Sequence, residues 1–507
     1  MLTVNYMIKM KFITRKYFFI ILIIGMLIPG RAFSITVRQE EELSREFMEY
    51  VLKHVEFIED PIIVNYVNNV GKRIVSAISP QPFTYHFYII KDNVYNAFAS
   101  PAGHIFINSG LFEAMDNEEE LAGILGHEIA HVACRHISQK IERSKKIGLA
   151  TLAGIAAGIF LGTGGAATAA GALTVGSMAA GQSIALAYSR EDEMQADQLG
   201  LKYLAKAKYT SQGLLSALKK IRSRQWFSSE QIPTYLTTHP AIENRIAYIS
   251  SKLENNIKPK TKTSSKDCYD FVITHTRLVA MYGDERAVLR KFQIDVEKHP
   301  ESHMAHYGYA LILARTGNRK EAIAHLKTAL EKKAFDPNIL RDLGRIYFLD
   351  GHYPEALNSL KGAASMAPDD PETLFFIGRT QIEIGRLKEA ASTFEKLIAK
   401  NPDYTTALYF LGNVYGKLEK LEDAHYFLGI YYKNKQNYKN AMFHLNKALK
   451  TITDPDKRSK IEELLKEIGK KSIEKREEEA KNQLLSKCEN RIVNVPLPCV
   501  ADLNAVE

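Results

Sequence analysis

The chain has 507 residues, of which 46% are hydrophobic and 25% charged. That is the composition of an ordinary globular protein on a length that calls for two or three domains, and it excludes a fibrous or low-complexity chain. The formal charge of +9 falls to +4 once Lys9, Lys11, Arg15, Lys16 and Arg31 of the acid-free first 34 residues are set aside, and no basic stripe interleaved with aromatics occurs elsewhere, which argues against nucleic acid as a partner.

Residues 1–34 have the layout of an export signal. Basic residues come first, Tyr17 to Ile28 is an apolar run with one glycine, Pro29-Gly30 breaks it, and Ala32-Phe33-Ser34 puts small residues around a cleavage point. The run is short for a membrane span. Cleavage is expected, the alternative being a retained signal anchor; in either case the bulk of the chain lies outside the cytoplasm. No cysteine follows the run, so a lipid anchor is not expected there. Four cysteines suit an oxidising compartment loosely. Cys488 and Cys499 are expected to pair across a proline-containing tail, Cys134 to be a small buried residue, and Cys268 has no evident partner.

From Glu40 to Ile78 the apolar positions recur at helical spacing, with a helix start at Asp60-Pro61. Thr84–Ile90 and His104–Asn108 read as strands, the second following a turn at Pro101-Ala102-Gly103. A strong helix opens at Asn117 or Glu118 and is predicted to run to Arg143. Residues 147–189 carry no charge; Gly154, Gly158 and Gly162, spaced by four, suit close helix packing, and a helical hairpin is predicted there, able to touch a membrane surface peripherally. Ser189 to Ala207 is again helical, and 255–267 is a polar linker.

The second half is repetitive. Ala322, Ala356, Ala390 and Ala424 lie 34 residues apart; Gly283, Gly317, Gly351 and Gly385 keep the same period, as do Gly344, Gly378 and Gly412. Small residues at fixed points of a 34-residue period mean stacked helix-turn-helix units whose backbones meet at Gly and Ala. The step of 12 from Gly412 to Ala424 recurs from Gly429 to Ala441, only 17 residues after Ala424, so the array is compressed near its end. This half resembles tetratricopeptide repeats.

His127-Glu128-Ile129-Ala130-His131 carries the chemistry. Residues i and i+4 share a helix face, so both imidazoles can reach one zinc ion, and the intervening glutamate can take a proton from a water held there. A hydrolytic zinc needs a third protein ligand. Ser189 to Asp197 offers Glu191, Asp192, Glu193 and Asp197, and spacing alone leaves the choice open, although Glu193 and Asp197 share one face.

HExxH followed after an insert by ExxxD resembles the M48 family of zinc metallopeptidases. The resemblance implies one zinc per chain, ligated by His127, His131 and Glu193, with Glu128 as general base and Asp197 supporting the ligands. Two further segments agree: Asn96-Ala97-Phe98-Ala99-Ser100-Pro101-Ala102-Gly103, where Ala102 stands at a position more often glycine and implies a stiffer turn, and Thr238-His239-Pro240 with Arg245. His239 is read as an oxyanion donor or as an inhibitory fourth ligand, against a plain helix-start histidine; Arg245 is read as a structural or oxyanion-side partner. The strand His104–Asn108 is expected to receive an extended substrate by strand addition. His104 and His136 have no assigned role.

The expected fold is α+β, mostly α: a zincin-like metalloprotease domain with a small β-sheet over 35–254, a repeat solenoid over 268–455, and a charged helix and cysteine-containing tail over 456–507. Family members with this order of parts act in the periplasm on misassembled outer-membrane barrel proteins and help their assembly. The resemblance therefore implies a periplasmic metalloendopeptidase for misfolded or misassembled envelope proteins, its repeats recruiting substrate or the barrel assembly machinery. The alternative is a chaperone or scaffold with a latent protease site.

Overall fold

The computed structural model describes residues 35–143, 188–227, 234–255 and 265–471. The expected signal peptide, nearly all of the uncharged hairpin, most of the linker and the tail with Cys488 and Cys499 lie outside the described residues. The chain divides into two compact units between Val288 and Leu289.

In the first unit, helix α1 (Val37–His54) is opened by a capping box between Thr36 and Gln39. Helix α2 (Pro61–Ser76) starts where Asp60 accepts hydrogen bonds from the Ile62 and Ile63 amides and buries Ile63, Tyr66, Val67, Val70 and Ile74. Strands β1 (His86–Ile90), β2 (Ala97–Ala99) and β3 (His104–Asn108) form a sheet of order β1-β3-β2. Strand β3 pairs parallel with β1 (His86 opposite His104) and antiparallel with β2 (Phe98 opposite Phe106). The sequence did not separate β2 from its neighbouring turns. Its presence corrects the substrate-pairing expectation for His104–Asn108: β3 is central, both of its edges are occupied, and it has no vacant ladder to offer.

After α3 (Ser109–Glu113), helix α4 (Glu118–Ala133) starts at Asn117, whose side chain accepts from the Glu120 amide. The single helix expected to Arg143 is in fact two. Arg135 takes a left-handed conformation at φ 54, and α5 (His136–Arg143) follows in a new direction. The Arg135 side chain is held by Glu40 Oε2 at 2.7 Å and by the Ile35 carbonyl at 2.6 Å, which fixes the break. Cys134 ends α4 half-buried, and burial raises its thiol to about 11. Helices α6 (Arg190–Lys206), α7 (Ser211–Phe227), α8 (Thr234–Thr238) and α9 (Ile242–Asn255) complete the surround of α4.

Helix α10 (Ser265–Tyr282), assigned to the repeats on sequence, packs within the first unit. Its Phe271 meets Tyr66 edge-on at 6.4 Å, and Arg277 is paired with Asp60 at 2.7 Å. An apolar face directed at α2 and a buried charge pair outweigh the 34-residue periodicity that would place it in the solenoid.

The second unit begins within α11 (Glu285–Lys298) and continues as antiparallel pairs: α12 (His303–Arg315) with α13 (Arg319–Lys332), α14 (Pro337–Leu349) with α15 (Tyr353–Met366), α16 (Pro371–Glu383) with α17 (Leu387–Lys400), and α18 (Thr405–Lys417) with α19 (Leu421–Asn434). The last three pairs close where glycine meets a large side chain: Gly344 on Leu360, Gly378 on Phe394, Gly412 on Leu428. The compression has a plain cause. Gly429 of α19 meets Leu445 of α20 (Tyr438–Thr451), so α19 is the second helix of one pair and the first of the next. A further helix spans 455–471. Among the described residues no helix is long and apolar enough to cross a membrane.

Turns within the pairs use left-handed glycines at Gly317, Gly351 and Gly385, but the equivalent Glu419 adopts φ 61, and Ala102 in the first unit adopts φ 60. An L-residue is strained there. Ala102→Gly and Glu419→Gly are each expected to stabilise the protein by roughly 0.5–1 kcal/mol, read as a higher urea midpoint at unchanged slope, whereas Gly351→Ala moves it the other way.

Candidate metal centre

Helix α4 presents His127 and His131 one turn apart, and α6 runs across it at very short range. A Cβ on Gly200 would lie 3.1 Å from the Gly126 carbonyl oxygen and 3.3 Å from His127 Cα, so a side chain at this crossing would push the two helices slightly apart. The start of α6 decides which acid faces inward. Ser189 caps the helix with Asp192, whose Oδ2 accepts the Ser189 amide at 3.0 Å, leaving Glu193 and Asp197 on the buried face.

The ligand atoms converge. His127 Nε2 and His131 Nε2 are 3.0 Å apart; Glu193 lies 3.5 Å from the first through Oε2 and 3.4 Å from the second through Oε1. His239, just after α8, places Nδ1 3.0 Å from Glu193 Oε1 and 3.5 Å from His127 Nε2. One donor atom from each of the four can be chosen so that all lie within 4.8 Å of one another, and all four residues are buried. Glu128, wholly buried beside them, has no hydrogen-bond partner for either oxygen among the described residues; His239 Nε2 is 3.8 Å away.

Around this set the other ring nitrogens are tied down. His127 Nδ1 faces Asp197 Oδ1 at 2.9 Å, and His131 Nδ1 faces His136 Nδ1 at 2.9 Å, with His136 Nε2 3.0 Å from Gln195 Oε1. Orienting a histidine through its far nitrogen is how a ligand ring is aimed. Arg245 of α9 donates to Asp197 through Nε and Nη2, both at 2.8 Å, and its Nη1 lies 2.6 Å from Glu193 Oε2. Tyr188 stacks on His131 at 3.8 Å, and Tyr235 on His239 at 4.3 Å.

Sequence reasoning thus reached His127, Glu128, His131, Glu193, Asp197, His239 and Arg245, and the structure brings all seven together. It missed His136, Tyr188 and Tyr235. His136 is five residues beyond His131 and shares no helix face with it until the Arg135 break turns it back; the tyrosines carry no motif.

Electrostatics answer whether these residues suit a divalent cation. Three carboxylates (Glu128, Glu193, Asp197) and one guanidinium (Arg245) are at most 1% exposed, so with neutral imidazoles two negative charges are left over in a site cut off from water. One divalent cation balances them, and two imidazoles with a carboxylate are a zinc donor set. Without it, protons must compensate. Burial and the Arg245 charge push His127 down, but Asp197 and Glu193 outweigh them and raise it to about 9. Burial raises Glu128. Burial and the neighbouring His127 hold His131 well below its ordinary value. Burial alone would raise Asp197, yet Arg245 brings it to about 2.

Known proteins show the same two parts. Residues 64–253 match the profile described as Peptidase family M48. Residues 286–337, 315–371, 347–407 and 422–453 match tetratricopeptide repeat profiles. The chain carries an M48 peptidase domain followed by tetratricopeptide repeats. It is 28% identical over 320 residues to the beta-barrel assembly-enhancing protease of Yersinia pestis, and 27% identical over 320 residues to that of Escherichia coli K12, in each case over 62% of this chain and 63% of the relative. It therefore spans less than two thirds of the length of these relatives. The mitochondrial metalloendopeptidase OMA1 of Schizosaccharomyces pombe is 26% identical over 208 residues, 40% of this chain and 56% of that protein.

Among the described residues, Asp197 reaches the candidate metal donors through His127 and Arg245. Asp197→Asn is expected to weaken zinc binding by about 10–100-fold, read by competition with a chromophoric chelator. Unchanged affinity would remove Asp197 from the metal centre.

Proposed function

We propose that this chain is a zinc-dependent metalloendopeptidase of the bacterial cell envelope, acting in the periplasm on misfolded or misassembled proteins, with the repeats recruiting substrate or a barrel assembly machine. The observation that carries it is the convergence of His127, His131 and Glu193 beside a glutamate, Glu128, whose oxygens are buried and unengaged. Export and the periplasmic setting rest on the layout of residues 1–34, and the link to barrel assembly rests on the names of the similar proteases.

Zinc held by His127, His131 and Glu193 would supply a Lewis acid that polarises the scissile carbonyl and acidifies a water. The remaining work falls to the chain. Glu128, kept protonatable by burial, accepts the proton of the attacking water and returns it to the leaving amine. Asp197, through His127 Nδ1, and His136, through His131 Nδ1, keep both Nε2 atoms aimed at one point. Arg245 holds Glu193 and Asp197 in place and stays charged, since both carboxylates raise its already high value. Tyr188 and Tyr235 wall the site against water.

His239 supports a second reading. With Nδ1 this near Glu193 and His127, it occupies the fourth place of the donor set, where it would exclude the reacting water and leave a latent protease, so that the repeats act as a chaperone or scaffold for outer-membrane protein assembly. His239→Ala separates the two roles: a gain in cleavage rate identifies an inhibitory ligand, a loss an oxyanion donor.

Glu128→Gln is expected to keep about one zinc per chain by elemental analysis while cleavage of an unfolded outer-membrane protein falls at least ~100-fold. Zinc retention with no cleavage by the wild type either would move the scaffold reading ahead; a wild type without zinc would end both. Metal loading should also depend on pH. His127 is raised to about 9, so it must give up a proton before Nε2 can ligate. Apparent zinc affinity is expected to rise about tenfold per pH unit from pH 7 towards pH 9 and then level off, with proton release on binding; a flat profile by chelator competition would contradict this.

A further inference from the structure

One position of the repeats changes character at the two ends of the array. In the first helices α14, α16 and α18 it holds Leu340, Leu374 and Leu408, and 19 residues on, in the second helices, stand Ser359, Thr393 and Phe427. In α12 and α13 the same two positions hold His306 and His325, and in α19 and α20 they hold His425 and His444. In both cases the rings meet through Nδ1, 2.7 Å apart in the first pair and 2.9 Å in the second. His127 and His131 of the metal centre stand at a similar spacing, 3.0 Å.

The first pair is the better prepared of the two. His306 Nε2 lies 3.0 Å from the Pro300 carbonyl. A carbonyl only accepts, so Nε2 carries the proton and Nδ1 presents a lone pair. A ring pinned through its far nitrogen is an aimed ligand. Burial, with His306 beside it, lowers His325, although Glu321 opposes this, so His325 is neutral at pH 7 and its Nδ1 proton fills the gap between the rings. Moving that proton to His325 Nε2, which has no hydrogen bond among the described residues, frees a second lone pair without any net loss of protons. The ring centres are 5.0 Å apart. Two imidazoles on a tetrahedral zinc place theirs about 5.2 Å apart, so the rings have to tilt but hardly to separate.

A third donor stands one turn before His325. Glu321 is exposed and accepts from Asn318 Nδ2, a bond it can exchange for an ion by turning its own side chain. The acid recurs as Glu355, Glu389 and Asp423, where it suits the helix start, but only in α13 does a histidine follow four residues on. The second pair lacks this donor: Asn440 precedes His444 by one turn, and Lys447 puts a positive charge near His425.

We propose that His306 and His325 bind a second divalent transition-metal ion, with Glu321 and water completing its shell, and that this ion ties α12 to α13 at the start of the solenoid. Two imidazoles and a carboxylate select Zn2+ or Cu2+ over Mg2+ and Ca2+. A site open to solvent is weaker than the buried centre of the first unit, and dialysis empties it.

The test is calorimetric titration of the dialysed full chain with Zn2+ at pH 7, read as the difference between wild type and variants, so that the state of the first centre cancels. His306→Leu and His325→Ser each install what other repeats carry, and their far-ultraviolet circular dichroism should match wild type. Each should abolish the weaker binding step or reduce its affinity at least about tenfold. Glu321→Gln should fall between these and wild type, and His425→Leu should leave the step intact. Cu2+ should bind the site more tightly than Zn2+, and a large excess of Mg2+ should not compete. The proposal fails if wild type shows no step that His306→Leu lacks, if His325→Ser in a folded protein retains it, if His425→Leu removes it instead, or if Mg2+ displaces the zinc.

Discussion

Everything in the first unit converges on the buried guanidinium of Arg245. It joins α9 to two carboxylates of α6, and one of these, Asp197, reaches on to His127 of α4. Removing one member of such a set strands the others as uncompensated charges in a dry interior, at a cost of roughly 3–5 kcal/mol, so the helices are bound by electrostatic necessity as well as by apolar contact. The bidentate fork has a geometric consequence too: with Nε and Nη2 spent on Asp197, only Nη1 remains for Glu193, which fixes where that carboxylate stands. A lysine could make one such contact but not this pattern.

That clamp works because the backbones beneath it nearly touch. Gly200 against Gly126, and Gly213 where a Cβ would fall 1.9 Å from the Glu119 carbonyl, bring α6 and α7 onto α4 with no intervening side chain. The N-terminal turn of α4 is held from the same side. Glu118 accepts from Tyr66 at 2.6 Å and Tyr209 at 2.7 Å and pairs with Arg73 at 2.9 Å, while Glu120 pairs with Lys220 at 2.7 Å. The acids that a helix start favours electrostatically thus also fasten the helix that carries His127 and His131 to its neighbours.

How much of this could be read from the chain depends on how local each feature is. The helix start at Asp60-Pro61 and the HExxH face depend on a few consecutive residues, the 34-residue period on exact repetition, and all three were legible. Choosing Glu193 over Glu191 and Asp192 needed the helix start: once Asp192 is engaged at the cap, Glu193 is the acid on the inner face, and a resemblance supplied what spacing could not. Strand β2 is three residues long, and its apolar run Ala97-Phe98-Ala99 lacks alternation because all three are buried. The break at Arg135 is set by Glu40 and the Ile35 carbonyl, almost a hundred residues away in the chain, and no window around Arg135 contains that information. Helix α10 misled for the opposite reason: its sequence continues into a periodic array, while its buried face answers to Tyr66, Phe112 and Asp60.

A repeat array makes a different kind of information readable. Each unit is a control for the next, so a departure at a framework position stands out from the chain alone. Where glycine gives way to Glu419 the departure costs backbone strain and the fold absorbs it. Where α19 serves two pairs, Gly429 repeats the role of Gly412 and the stacking continues with one helix fewer. A departure inside the stack is different again, because its neighbours change with it. Asp342 is buried and accepts from Tyr307 Oη at 2.9 Å as well as from Arg345 Nε at 3.3 Å. One repeat later Phe376 stands in its place and meets Phe348 at 5.5 Å, so an aromatic contact between units replaces a buried polar one. The repeats thus keep their stacking while the chemistry that holds neighbouring units together changes from one unit to the next.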